Sequence, residues 1–358
     1  MNEAPFHFSG VLLPDDVSVT IGVVGGRITY DEPSGSTLVA DNVWIVPGFV
    51  DAHCHVGLGK EGAVGPEVQR IQAEDSRDGG THVARDCGVP AETRWIDDEP
   101  DLPQIIRAGR HVARPKRYIR DVGVDVEPEG LVAAVEVEAK RGDGWVKLVG
   151  DWIDRDRGDL APLWPRDVAE AAISRAHELG ARVTAHVFGE EAPHDLVAAG
   201  IDCLEHGTGI TADLLGVMAE RQVALVPTLV NIENFPGIAD SAGRFPAYAD
   251  HMRVLHRTAG ERLRAAYEAG VPIYAGTDAG SMIEHGRIAD EIRALHAAGM
   301  SAKDALAAAS WQARKWLGVG SGVAEGDIAS FNVYAQDPYD MTAFAAPSFI
   351  VLKGRVRR

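Results

Sequence analysis

The sequence predicts an α/β protein: a (β/α)8 TIM barrel with a small β-sandwich module formed from the N- and C-terminal segments. Three observations lead there. Between residues 43 and 319, short apolar, β-branched runs alternate with stretches of helical periodicity, eight times in succession. Each run leaves by a glycine or a polar loop. Residues 1–42 and 320–358 read instead as short strands joined by turns, and strands at the two ends can pair with each other. A six-stranded doubly wound sheet is the alternative, but no Gly-x-Gly-x-x-Gly follows the first barrel strand to support it.

The elements follow in order. Val17-Ser-Val-Thr-Ile21 alternates, Gly25-Gly26 turns, and Arg27-Ile-Thr-Tyr30 returns. The first barrel strand is Val46-Pro-Gly-Phe-Val-Asp-Ala-His-Cys-His-Val56. A polar helix over 66–77 leads to the second strand, Thr81-His-Val-Ala-Arg-Asp-Cys-Gly88. A short third strand is placed near 110–114, a helix over 128–140, and a fourth strand over Gly144-Trp-Val-Lys-Leu-Val-Gly150. The helix over 165–179 stops at Gly180, a suitable C-cap. Strand five is Ala181–Val187, strand six Ile201–His206, strand seven Val223–Leu229 and strand eight Val271–Asp278, with helices between. The segment 231–246 carries Pro236, Gly237, Gly243 and Pro246 and reads as a long loop, a candidate lid. Helices near 284–298 and 302–317 complete the series, and 326–334 and 349–356 return to β-like patterns.

Composition removes several classes of function. Hydrophobic residues make up 46% and charged residues 25%, the balance of a globular protein. A formal net charge of -18 repels phosphate backbones, so nucleic acid is not an expected partner. No apolar run reaches the ~20 residues that a membrane helix needs. The N-terminus has neither a basic start nor an apolar core, so no signal peptide is expected. Cys54, Cys87 and Cys203 are odd in number and far apart, forming neither a disulfide framework nor a zinc ribbon, which suits the cytoplasm.

Barrel active sites lie at the C-terminal ends of the strands. The polar residues there are His53 and His55 on strand one, Lys147 on strand four, His186 on strand five, His206 on strand six and Asp278 on strand eight. Residues two apart on a strand face the same way, so His53 and His55 can serve one ion, with Cys54 turned from them. Each residue also has a plainer reading. His186 or His206 can be packing histidines, Asp278 a helix N-cap, and Lys147 a side chain reaching for the barrel rim. A buried ammonium is costly, so Lys147 must be paired or modified. Six ligand-type residues at the same end of eight strands favour metal binding. His285 after strand eight, and Asp151 and Trp152 after Lys147, are weaker candidates for substrate contact. Arg85 is read as a structural ion pair.

The quoted segments resemble the amidohydrolase superfamily of metal-dependent hydrolases. They are Pro47-Gly-Phe-Val-Asp-Ala-His53-Cys-His55, Val146-Lys147-Leu148, Thr184-Ala-His186, Leu204-Glu-His206-Gly, Gly276-Thr-Asp278-Ala-Gly and Ala324-Glu-Gly-Asp-Ile-Ala-Ser-Phe-Asn-Val. Within the superfamily the chain is most similar to the bacterial prolidase-like branch, which cleaves Xaa-Pro dipeptides or N-acyl amino acids. The resemblance implies two divalent ions, most often zinc. His53, His55 and Asp278 would hold one, His186 and His206 the other, and a carboxylated Lys147 would bridge them. It further implies attack by a hydroxide shared between the ions, with Asp278 carrying the proton to the leaving amine. The run Val149-Gly-Asp-Trp-Ile-Asp154 departs from the small residues usual in that branch, which leaves the substrate open. The expected partner is a small molecule, with homo-oligomerisation left open.

Two other functions compete. A mononuclear deaminase uses a glutamate three residues beyond the strand-five histidine; here that position is Gly189, with Glu190 and Glu191 next. A non-catalytic scaffold would have lost ligands, and none is missing. A lactonase or phosphotriesterase on the same centre also stays open, because the nucleophile does not dictate the electrophile.

Overall fold

The computed structural model describes residues 4–358, so residues 1–3, the start of the expected N-terminal module and of the segment read for a signal peptide, lie outside the described residues. Strands from both chain ends form one seven-stranded sheet. Its order is Arg355–Arg357, Phe349–Leu352, Phe331–Tyr334, Thr37–Pro47, Phe6–Leu12, Val17–Val24 and Arg27–Thr29. Only Phe6–Leu12 and Thr37–Pro47 run parallel. The strands are hydrogen-bonded into a single mixed sheet where two stacked sheets of a sandwich were expected. The sheet has a core of its own: the Phe8 ring meets Phe331 at 5.6 Å and Phe349 at 5.8 Å, both edge-on.

Thr37–Pro47 passes through Gly48 directly into the strand Phe49–Cys54. At Gly48 a Cβ would lie 2.3 Å from the His82 ring, so only glycine fits this crossing. The segment is fastened from the far end of the chain. Gly48 N–H donates to Ser330 O (2.9 Å), Ser310 Oγ to Pro47 O (2.6 Å) and Arg314 Nη1 to Gly48 O (3.0 Å).

The remainder is a mixed α/β fold with two parallel sheets. One joins Phe49–Cys54, Thr81–Asp86 and Gln104–Arg107. The other runs Val124–Asp125, Val112–Ala113, Trp145–Val149, Arg182–Val187, Cys203–His206 and Ala224–Val226. The expected third strand is therefore longer and broken: 104–107 serves the first sheet and 112–113 the second. On the other side the eighth predicted strand lacks a ladder. It makes only isolated parallel bridges, Leu225↔Ile273 and Cys54↔Ala279, with Ala52 N–H donating to Ala275 O (2.8 Å) and Asp278 N–H to His53 O (2.7 Å). Pro272 has no N–H to donate, which interrupts the pairing. Among the described residues the hydrogen bonds do not form one closed ladder.

Helices separate the strands and bury one face each. Arg166–Glu178 turns Ala169, Ala172, Ile173 and Ala176 inward, a three-and-four spacing, and the chain leaves it through Gly180 at φ 78°. The segment expected as a loop over 231–246 is instead largely helical, with Leu229–Ile232 and Phe235–Ser241 preceding the long helix Pro246–Glu268. Pro236 and Pro246 occupy first-turn positions, where a missing N–H costs nothing. A hairpin, Asp151–Asp154 with Asp159–Pro162, was not anticipated.

Candidate metal centre

His53, His186 and His206 lie in the last two residues of their strands, His55 just beyond the first of these, Lys147 in the middle of Trp145–Val149, and Asp278 in the unladdered segment after Gly276. His53 Nε2 and His55 Nε2 lie 3.3 Å apart, and Asp278 Oδ1 is 3.0 Å from the first and 3.1 Å from the second. Three donor atoms converge on one point. The His206 ring stands 5.1 Å from that of His53 and 4.7 Å from that of His186. A second set of donor atoms within reach of one another is His53, Glu205 and His206. His186 Nε2 approaches Asp151 Oδ1 at 4.0 Å.

Three non-glycine residues at or beside the site have positive φ. His206, Thr228 and Asp278 all have left-handed φ, at 65°, 49° and 57°. Residues with side chains rarely adopt that region, and when they do it is typically at functional sites. The bend at His206 lets both it and Glu205 reach the interior from one short strand. Asp278 follows Gly276, whose Cβ would lie 2.7 Å from His53 N, so a glycine brings the segments carrying His53 and Asp278 together. Asp278 precedes no helix directly, which removes its N-cap reading.

Protonation suits a cation. Burial lowers the pKa of His53, pushes His186 well below the ordinary imidazole value and brings His206 to about 3, so these rings are neutral. Burial alone would raise Asp278, but His53, His55 and His206 outweigh it and hold the carboxyl well below its usual range. Neutral imidazoles with an ionised carboxylate are the ligand forms that divalent ions require. His206 Nδ1 bonds Thr228 Oγ1 at 2.7 Å; with the proton on Nδ1, Nε2 keeps its lone pair. His55 Nδ1 and His186 Nε2 are buried without a hydrogen-bond partner. The unpartnered His186 Nε2, and the two imidazole Nε2 atoms packed against Asp278 Oδ1, are what bound cations would relieve, so the residues present fit a metal centre.

Lys147 is buried against the Glu205 carboxylate. Of the two alternatives expected for it, the structure shows pairing. Glu205 was not singled out from sequence, yet it is the hub of the interior. It accepts from Thr184 Oγ1 (2.8 Å), Cys87 Sγ (3.1 Å) and Arg85 Nη2 (3.2 Å), and lies 3.4 Å from His53 Nδ1. Burial would raise its pKa, but His53, Lys147 and Arg85 together hold it well below the usual range. Arg85 also donates to Ala52 O (2.6 Å) and lies over the Trp145 ring at 4.5 Å, so it is a structural ion pair.

The weaker candidates divide. Trp152 belongs to an aromatic wall: its ring is 4.7 Å from Tyr118 and 5.5 Å from His186, and Phe188 packs 4.2 Å from His186. Tyr118 and Phe188 were not singled out from sequence. The Asp151 carboxylate is buried and accepts the N–H of Phe188 (2.9 Å) and Gly189 (2.8 Å), with burial raising its pKa to about 7. These bonds position the backbone after His186. His285 bonds Ser76 Oγ at 3.1 Å and leaves Nε2 buried without a partner. Glu190 is bonded to His251 (2.9 Å) and Arg262 (3.3 Å), and Glu191 to Arg157, so neither stands free as a deaminase proton carrier.

The model of the amidohydrolase family matches residues 44–357. This chain belongs to that family. The amidohydrolase is a hydrolase acting on carbon–nitrogen bonds. It is 57% identical over 351 residues to an uncharacterized protein of Mycobacterium tuberculosis, covering 98% of this chain and 95% of that protein. Among solved structures it resembles a Xaa-Pro dipeptidase with methionine bound in its active site. There the TM-score is 0.81 at 22% identity, over 99% of this chain and 100% of that one. It also resembles a prolidase complexed with N-methylphosphonate-L-proline, with TM-score 0.79 and 18% identity over the same shares. At these identities the likeness shows the fold. Among the described residues no helix is long and apolar enough to cross a membrane.

Proposed function

We propose that this amidohydrolase cleaves the amide bond of a small molecule, an N-acyl amino acid or an Xaa-Pro dipeptide, at a two-metal centre carried on a (β/α)8 barrel. The observation that carries the reading is the convergence of His53, His55 and Asp278 within 3.3 Å, with His206 and His186 adjoining. The barrel is supported by eight successive segments, each bonded to the next across two sheets and two isolated bridges. The β module of residues 1–42 and 320–358 braces it.

His53, His55 and Asp278 would hold one ion, zinc by preference of the donor set, and His186 and His206 the other. Bound metal supplies Lewis acidity and a water acidic enough to react near neutral pH. Lys147, once carboxylated, would offer an anionic oxygen ligand to the metal centre; as an ammonium it is neutralised by Glu205. Asp278 takes the proton of the attacking water and passes it to the leaving nitrogen. Trp152, Tyr118 and Phe188 keep water from the second site and offer an apolar surface to the acyl side chain. His285 lies on the opposite flank, with its free Nε2 available to a polar substrate group. Three buried, unpaired thiols support a cytoplasmic setting.

The test is a screen of the zinc-loaded enzyme against N-acyl amino acids, Xaa-Pro dipeptides, cyclic amides and lactones, with metal counted per chain. Two metals, amide turnover, and an Asp278→Asn variant that keeps metal but not turnover are expected. One metal per chain, or full activity in Asp278→Asn, would sink the reading. Exchange with isotope-labelled bicarbonate, read by NMR, decides carboxylation of Lys147 independently.

A further inference from the structure

The two oxygens of Asp278 have different surroundings. Oδ1 faces His53 and His55. Oδ2 receives the side-chain amide of Asn231, Nδ2 to Oδ2 at 2.7 Å, and among the described residues no other side chain donates to it. The terminal torsion of an aspartate is soft and nearly two-fold, so nothing intrinsic to Asp278 keeps its carboxylate plane fixed. The Asn231 amide does.

Asn231 is itself held in place by an unusual arrangement. The chain leaves the strand Ala224–Val226 and turns at Thr228, a β-branched residue at φ 49° and ψ 50°. Its hydroxyl is bonded to His206 Nδ1. The turn aims the next two N–H groups at Glu291: Leu229 N donates to Oε1 and Val230 N to Oε2, each at 2.9 Å. Glu291 lies on the helix Ile288–Ala297, is fully buried and has no cation beside it among the described residues. A carboxylate buried with only two backbone donors is costly. What it does here is clamp the start of the short helix Leu229–Ile232, from which Asn231 projects to Asp278.

We infer that Asn231 is a positioning residue that fixes the carboxylate plane of Asp278, with Oδ1 toward the metal ligands and Oδ2 toward the reacting proton, and that Glu291 acts through it. This rests on the role given to Asp278 above. The start of the segment 231–246, expected as a loop, thereby becomes a part of the active site that reaches the proton carrier from outside the barrel strands.

The experiment uses the full chain loaded with cobalt, then with zinc. Asn231→Leu should change the visible absorption of the cobalt enzyme, because Oδ1 is no longer held, with metal content unchanged. On the amide that the zinc enzyme turns over fastest, kcat should fall about ten- to a hundredfold, the usual range for losing such a supporting contact, with KM nearly constant. Asn231→Ser keeps a donor and should retain a larger share of kcat. Glu291→Gln should lower kcat in the same way, and the double variant should be no worse than Asn231→Leu. A cobalt spectrum and kcat both matching wild type in Asn231→Leu would overturn the inference. Independent, multiplying effects of the two substitutions would overturn the route through Glu291. If Asp278→Asn stays active, the proposed function fails instead, while the cobalt comparison still decides whether Asn231 orients Asp278.

Discussion

Replacing Glu205 by glutamine tests whether the interior is held together by charge. The substitution keeps shape and the contact with Thr184 but leaves the cations of Lys147 and Arg85 facing each other with no anion between them. All three side chains are buried. Breaking a buried pair by removing one partner costs about 3–5 kcal/mol, because the remaining charge cannot reach water. At ~2.1 cal/mol/K per residue, over 358 residues, this lowers the melting temperature by roughly 4–7 °C. The measurement is urea and thermal unfolding of the metal-free protein, so that metal release does not enter the difference. The double variant Glu205→Gln/Lys147→Met removes one orphaned cation and should recover part of the loss. A change below about 1 kcal/mol, the scale of an exposed pair, would refute the argument: the triad would then be hydrated.

Three other outcomes are expected. The hydrogen bond to Glu190, with that to Asp159, raises His251 to about 9 from its ordinary 6.5 despite partial burial. A raised pKa gives stability that is complete below about pH 6.5 and lost as pH climbs through about 9, so His251→Gln should be less stable than wild type at about pH 6 and indistinguishable by about pH 10. A constant difference across that range contradicts it. Asp151→Ala strands the buried N–H groups of Phe188 and Gly189, which costs about 1–3 kcal/mol in urea unfolding, and Asp151→Asn should lose less. Chelation should abolish turnover and lower the melting temperature, both restored by zinc; at a hundredfold excess over Kd a ligand adds about 2.7 kcal/mol. Turnover by demonstrably metal-free protein would contradict the metal centre.

The strands carrying the candidate ligands were readable because each is an apolar, β-branched run with a charged or imidazole side chain near a glycine or loop. Periodicity and position singled out His53, His55, Lys147, His186 and His206 as candidates. The segment holding Asp278 was recognisable by its end and not by its pairing, since Pro272 and Gly276 disrupt a ladder that the apolar pattern suggests. The stretch 231–246 misled because prolines that break a helix interior also begin helices, and only tertiary position distinguishes the two. Asp151 lies four residues after Lys147 in the sequence but turns toward a backbone that the sequence does not place. Glu205 did carry a signal: a charge inside a short apolar strand must find partners. Tyr118 and Asn231 carried none, because both arrive on connections whose course is set by packing.

The fastening of residues 47 and 48 bears on how the protein is made. The chain that delivers His53 is secured by Ser310, Arg314, Ser330 and the strand beginning at Phe331. On the ribosome these emerge well after residues 47 and 48. Until then Thr37–Pro47 has one edge open, which invites pairing with another nascent chain. A polypeptide released early would keep His53 and His55 yet lack the grip that sets them opposite Asp278. Completion of synthesis thus acts as a checkpoint, and prematurely terminated copies should bind metal poorly and depend on chaperones.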